Sequence, residues 1–91
     1  MTDKEDYTEY GKEITNRLAR SLGHLCSVKK MVENDRDCSE VLVQLAAVKA
    51  ELNNTGRVIL KQYLEECLES AADTGNLEKL KEINTLMDRF L

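Results

Sequence analysis

One stretch constrains this chain more than any other: DCSEVLVQLAAVKAELNNTGRVILKQYLEECLES, from Asp37 to Ser70. It holds no proline and one glycine, and apolar or small residues recur at Cys38, Val41, Leu45, Val48, Leu52, Thr55 and Ile59. Steps of three and four place these positions on one side of a long amphipathic helix. Leu42, Ala46, Leu60, Leu64 and Leu68 widen the stripe. A cysteine stands at each end, Cys38 and Cys67. Along one helix their spacing amounts to roughly 43 Å at ~1.5 Å per residue, whereas a disulfide needs Cα atoms within about 7 Å. The two thiols cannot meet within one intact helix. They can meet where two copies pack antiparallel, the start of one helix beside the end of the other.

The flanking segments complete an all-α reading. Residues 1–10, MTDKEDYTEY, are polar and aperiodic and read as a flexible arm. A helix is expected from Gly11 or Lys12 to about Asn34, with Ile14, Leu18, Leu22, Leu25, Val28 and Val32 on one face. Arg17, Arg20, His24 and Ser27 form a neighbouring stripe. Asp37 is suited to cap the second helix, with Glu40 three residues on in a capping-box-like pattern and Cys38 in the first helical position. That helix should stop near Ala71–Thr74, before Gly75. Asn76 can cap a third helix whose apolar face is Leu77, Leu80, Ile83, Met87, Phe90 and Leu91. The expected protomer is a long antiparallel helical hairpin plus a short C-terminal helix, a single domain over residues 1–91. A lone hairpin of this size leaves an apolar seam in water, so a homo-oligomer is expected.

The charge pattern narrows the function classes. The formal net charge of −4 argues against broad electrostatic binding to nucleic acid or anionic lipid. Excess positive charge is confined to the first long helix, through Lys12, Arg17, Arg20, Lys29, Lys30 and Arg36. No apolar run is long enough to span a bilayer, and no signal-peptide core is visible, so a cytoplasmic protein is expected. There an odd set of three cysteines reads as metal binding, redox chemistry or inert packing. Cys38, in the first turn of a helix, meets oriented N–H groups that favour a reactive thiol; its alternative is a small packed residue. Cys67 and Cys26 admit the same two readings. Nothing in the sequence places His24, the single histidine, near Cys38 or Cys67. Two thiolates alone suit a linear Cu(I) ion, whereas Zn²⁺ or Ni²⁺ wants a further nitrogen or sulfur ligand. No phosphate-cradling glycine loop or Ser-His-Asp set is present, so an enzyme is not expected. Arg17 and Arg20, one turn apart, and Lys49 on the second helix read as a solvated charged face or as part of a composite surface for DNA.

The stretch RLARSLGHLCSVKKMVENDRDCSEVLVQLAAVKAELNNTGRVILKQYLEEC, Arg17 to Cys67, resembles the copper-sensitive operon repressor (CsoR) family. Arg17-x-x-Arg20-x-x-Gly23-His24 is similar to its basic first-helix motif, with histidine where glutamine is frequent. Asp35-Arg36-Asp37-Cys38 is similar to its loop and sensing cysteine, Val41 to Val48 to its second-helix signature, and Glu66-Cys67 to its distal cysteine. The resemblance implies antiparallel dimers with four-helix-bundle packing that pair into a disc-shaped homotetramer. It also implies a repressor that leaves double-stranded operator DNA when an inter-subunit cysteine site is filled or modified. Copper, nickel, cobalt and formaldehyde sensors of the family carry a histidine four residues before the distal cysteine, where this chain has Tyr63. The surviving pair, Cys38 and Cys67, resembles the CstR branch, which responds to reactive sulfur species. The expectation is therefore a persulfide-responsive repressor that needs no cofactor, with Cys38 and Cys67 as sensing thiols and Arg17, Arg20 and Lys49 toward DNA. Its alternatives are a Cu(I)-responsive repressor using Cys38 and Cys67 as ligands, and a helical oligomerisation module without a DNA role.

Overall fold

The computed structural model describes the backbone of residues 8–74 and 77–91 and the side chains of residues 8–67 and 77–91. Three α-helices follow one another: α1 (Glu9–Glu33), α2 (Cys38–Thr74) and α3 (Leu77–Phe90). The all-helical class expected from the sequence is what the chain forms. No helix among the described residues is long and apolar enough to cross a membrane.

Local chemistry explains where the helices begin and end. α1 starts two to three residues earlier than expected, because Thr8 serves as N-cap: its backbone is extended and its hydroxyl accepts from the Gly11 N–H at 3.0 Å. Glu9 and Tyr10, read as part of the arm, are thus helical; the arm's residues 1–7 lie outside the described residues. At the other end Asp35 adopts φ 53°, the left-handed conformation that Asp tolerates better than most residues. Its N–H donates to the Val32 carbonyl at 3.1 Å, and the Arg36 N–H donates to the Met31 carbonyl at 2.9 Å. This is a Schellman closure that satisfies the terminal carbonyls of α1. α2 begins at Cys38 as expected, and the Asp37 carboxylate accepts from the Ser39 hydroxyl. Glu40 faces Arg36, at 2.9 Å from its guanidinium. The expected caps Gly75 and Asn76 lie outside the described residues.

The chain divides into two compact units, Met1–Thr55 and Gly56–Leu91, with α2 contributing to both. In the first unit α1 runs antiparallel to the first half of α2. Val28 and Val48 are buried, with Ser21 and Thr55. The register is fixed by a polar cluster: Ser21 Oγ donates to Glu51 Oε1 at 3.1 Å, and His24 lies 2.7 Å from Glu51 Oε2 and 2.8 Å from Gln44 Oε1. Leu18, Leu22, Leu25, Leu45 and Leu52, expected in the core, remain 42–64% exposed. Two helices cannot enclose a stripe that wide.

In the second unit Leu60, Cys67 and Ile83 are buried. Phe90 lies flat against Gly56, where any Cβ would overlap its ring. Arg57 Nε donates to the Phe90 carbonyl at 2.8 Å, which satisfies an orphan acceptor at the C-terminus of α3. The Tyr63 hydroxyl on α2 donates to the Glu82 carboxylate on α3.

Two predictions follow from these contacts. Gly56→Ala should lower the unfolding midpoint: the methyl displaces Phe90 at a cost of about 1–3 kcal/mol, which exceeds the ~1 kcal/mol gain in helix propensity. Chemical denaturation should show that loss shrinking in a Phe90→Ala background. The His24–Glu51 pair makes stability pH-dependent. The Gln44 and Glu51 hydrogen bonds raise the His24 pKa above the ordinary 6.5, so its contribution is full below 6.5 and disappears as pH rises through the raised value. The His24 hydrogen bond lowers the Glu51 pKa from the ordinary 4.5, so that contribution is present above 4.5 and fades as pH falls through the lowered value. The midpoint difference between wild type and His24→Ala should therefore be larger near pH ~6 than near pH ~9.

Candidate functional site

The sensing thiols predicted from the sequence occupy contrasting settings. Cys38 is the first residue of α2 and is exposed. Beside this helix start a cleft of about 330 Å³ is lined by Met31, Arg36, Ser39, Glu40, Val43 and Gln44. Cys67 lies in the second unit and is buried. Neither is in a disulfide, nor is the exposed Cys26 on α1. Among the described residues of one chain, no group of three or more His, Cys, Asp or Glu side chains converges on a metal-sized site. His24 gives both ring nitrogens to α2 partners, Glu51 and Gln44, in keeping with the absence of a sequence signal linking it to the thiols.

Tyr63 stands one turn before Cys67 and takes part in its environment. Its phenol donates to Glu82, and the Lys79 ammonium lies 5.7 Å from its ring centroid. The Glu82 hydrogen bond, reinforced by partial burial and by the nearby Glu82 and Cys67 groups, pushes the phenol pKa upward. The hydroxyl is thus held protonated and engaged. In this state it is a poor donor to any cation beside Cys67.

The basic residues are partly gathered. Arg17 and Arg20 line one open cleft of about 320 Å³ together with Ser21, Glu51, Asn54 and Thr55. Arg17 is braced by Glu13 one turn earlier, with Nη2 at 3.1 Å and Nε at 3.2 Å from Glu13 Oε2. Such an i,i+4 pair is readable from spacing. Arg20 is exposed, and its charge acts on Glu51. Lys49 is exposed on α2 but is not part of the cleft lining. Glu51, Asn54 and Gln44 carried no signal in the sequence, because their roles depend on the register between two helices.

Comparison with known proteins agrees with this architecture. Residues 10–89 match the family model described as metal-sensitive transcriptional repressor. The copper-sensing transcriptional repressor CsoR of Bacillus subtilis is 38% identical over 78 residues, covering 86% of this chain and 75% of that protein. Among solved structures, the nickel-responsive transcriptional regulator InrS has a TM-score of 0.73 at 44% identity, covering 88% of this chain and 91% of its own. The copper-sensing repressor CsoR with Cu(I) from Geobacillus thermodenitrificans has a TM-score of 0.79 at 32% identity, covering 99% and 93%. These matches overturn one expectation. A chain that needs no cofactor does not fit a metal-sensitive family with a similar structure that carries Cu(I). The missing histidine was weighed too heavily, since two soft thiolates already suit a d¹⁰ ion. The absence of an enzymatic role agrees with the family. The chain belongs to the CsoR family of metal-sensitive transcriptional repressors.

Proposed function

We propose that this chain is a Cu(I)-responsive repressor. In this reading it binds operator DNA in the cytoplasm as a homotetramer of antiparallel dimers. It releases the DNA when Cys38 of one subunit and Cys67 of another share the ion. The observation that carries this reading is the donor set. Two cysteines outside any disulfide are present, Cys38 and Cys67, and the one further candidate beside Cys67, the Tyr63 phenol, is engaged by Glu82. Cu(I) accepts two thiolates in linear geometry, whereas Ni²⁺ and Zn²⁺ call for additional nitrogen or sulfur donors. Likeness to copper-sensing relatives supports the same choice over nickel, even though the nickel-responsive structure shares more identity. Cys38 and Cys67 would hold the ion, which would supply a soft Lewis-acid centre for two thiolates. The chain supplies the rest. Cys38 offers an accessible thiol at a helix start, Cys67 a sheltered one, and Tyr63 with Glu82 fixes the wall beside it.

Homo-oligomerisation is supported by the apolar residues left uncovered: Leu18, Leu22, Leu25, Leu42, Val43, Leu45 and Leu52 in the first unit, and Leu77, Leu80 and Leu91 in the second. A surface with this much apolar area marks an interaction site. The DNA contacts are assigned to Arg17 and Arg20, which share a cleft, and to Lys49, exposed on α2 outside that cleft's lining, mainly through phosphates. A second reading uses the same thiols: the Cys67 thiolate attacks the inner sulfur of a persulfide formed at Cys38, the Cys38–Cys67 disulfide forms, and the outer sulfur leaves as hydrosulfide. It is favoured by one observation, the phenol of Tyr63 where the metal sensors of the family carry an imidazole.

Reduced protein bound to a duplex selected from a random pool should lose it on anaerobic addition of about one Cu(I) per protomer. Cys38→Ala and Cys67→Ala should each abolish that release while leaving DNA binding intact. Release by an organic persulfide with a covalent dimer on non-reducing gels, and no response to Cu(I), would instead establish the sulfur reading. Arg17→Ala or Arg20→Ala should weaken duplex binding and reduce the salt slope by about one unit each. An unchanged affinity and slope would remove them from the interface.

A further inference from the structure

The Ser21–His24–Gln44–Glu51 cluster joins two features that the repressor reading leaves separate: the one histidine of the chain and the arginine cleft. Glu51 belongs to both. Its Oε1 accepts from Ser21 and its Oε2 faces His24 Nδ1 at 2.7 Å, while its side chain also lines the cleft beside Arg17 and Arg20. The other ring nitrogen, Nε2, faces Gln44 Oε1 at 2.8 Å. Both nitrogens thus face oxygen atoms. Only the imidazolium can donate at both. A neutral ring keeps at most one of these bonds, and Gln44 must then turn its amide to donate to the other nitrogen.

We propose that His24 is a pH-responsive positioning residue for the DNA surface: as imidazolium it holds the Glu51 carboxylate away from Arg17 and Arg20, and as neutral imidazole it releases that carboxylate to them. This inference rests on the reading that Arg17 and Arg20 meet DNA phosphates. The charged groups around the pair are few. On α1 they are Arg17, already braced by Glu13, and Arg20; on α2, Glu51 is the charged neighbour. With His24 charged, Glu51 has a dedicated partner and Arg20 presents a free guanidinium to an anion. Loss of the proton removes one positive charge from the cluster and leaves Glu51 to compete with phosphate for Arg20. Both effects act in the same direction, so operator affinity falls as pH rises. The hydrogen bonds to Gln44 and Glu51 shift the His24 pKa upward from 6.5, and histidine is the side chain whose ordinary titration lies in the physiological range. By linkage, a duplex that binds the protonated form better raises the proton affinity of His24 in turn, so binding takes up protons.

The test measures affinity for a pool-selected duplex from pH 6 to 8.5 at fixed salt, by fluorescence anisotropy. It uses the full chain as wild type, His24→Gln and Glu51→Gln. A single linked proton predicts about a tenfold fall in wild-type affinity per pH unit above the His24 transition. His24→Gln, which preserves a neutral hydrogen-bonding side chain, should flatten the profile. Glu51→Gln should flatten it too and tighten binding most at the high-pH end. Calorimetry in two buffers of different ionisation enthalpy should show proton uptake by wild type and its loss in both variants. A role limited to holding the helices together would weaken both variants at every pH without changing proton uptake. Parallel pH profiles in wild type and His24→Gln would overturn the proposal while DNA binding itself stands. Failure of wild type to select or bind any duplex even at pH 6 would be a different result, sinking the repressor reading and this inference with it.

Discussion

The register between α1 and the first half of α2 depends on one polar cluster. Glu51 accepts from Ser21 and faces His24, and His24 reaches Gln44 two turns away. Val28 and Val48 are the only buried apolar residues of the first unit among the described residues, and interchangeable aliphatic contacts alone define register poorly. Directional hydrogen bonds to one carboxylate do so sharply. The same carboxylate opens onto the cleft that holds Arg17 and Arg20. Helix packing and the proposed DNA surface therefore share a residue, Glu51. The second unit solves the same problem with shape: Phe90 fits where Gly56 leaves no side chain, and Arg57 closes the end of α3.

A repressor must convert capture of a small ion into a change of shape. Here the two thiols proposed to capture it belong to opposite surroundings, an exposed Cys38 at a helix start and a buried Cys67 beside Tyr63. A linear ion between two thiolates needs no third ligand. The phenol that replaces an imidazole is held by Glu82 on α3. In the proposed reading this leaves two thiolates as donors, a soft pair that suits Cu(I).

Much of the fold was legible because its signals are local. The end of α1, the start of α2 at Cys38 and the span of α3 came from periodicity and turn residues. The expected start of α1 at Gly11 or Lys12 falls late because the polar 1–10 stretch shows no apolar period, whereas Thr8, three residues before Gly11, carries the capping hydroxyl. The core was only half legible. An amphipathic stripe does not say whether Leu18, Leu22 and Leu25 meet their own chain or another, and here their own chain leaves them exposed. Arg17 and Arg20 could be found from their spacing, but Glu51 and Gln44 could not, since they acquire partners only once α1 and α2 are aligned. The expectation of no cofactor failed because Tyr63 in place of a histidine pointed away from metals, while the remaining pair, Cys38 and Cys67, also suits Cu(I).

The account stands most directly on the coordination of the captured ion. X-ray absorption of the reduced protein loaded anaerobically with Cu(I) measures it. A two-coordinate, sulfur-only environment that is lost in Cys38→Ala and in Cys67→Ala is the predicted result. An imidazole in the coordination shell, or a reduced protein that leaves Cu(I) with a weak competing chelator, would contradict it.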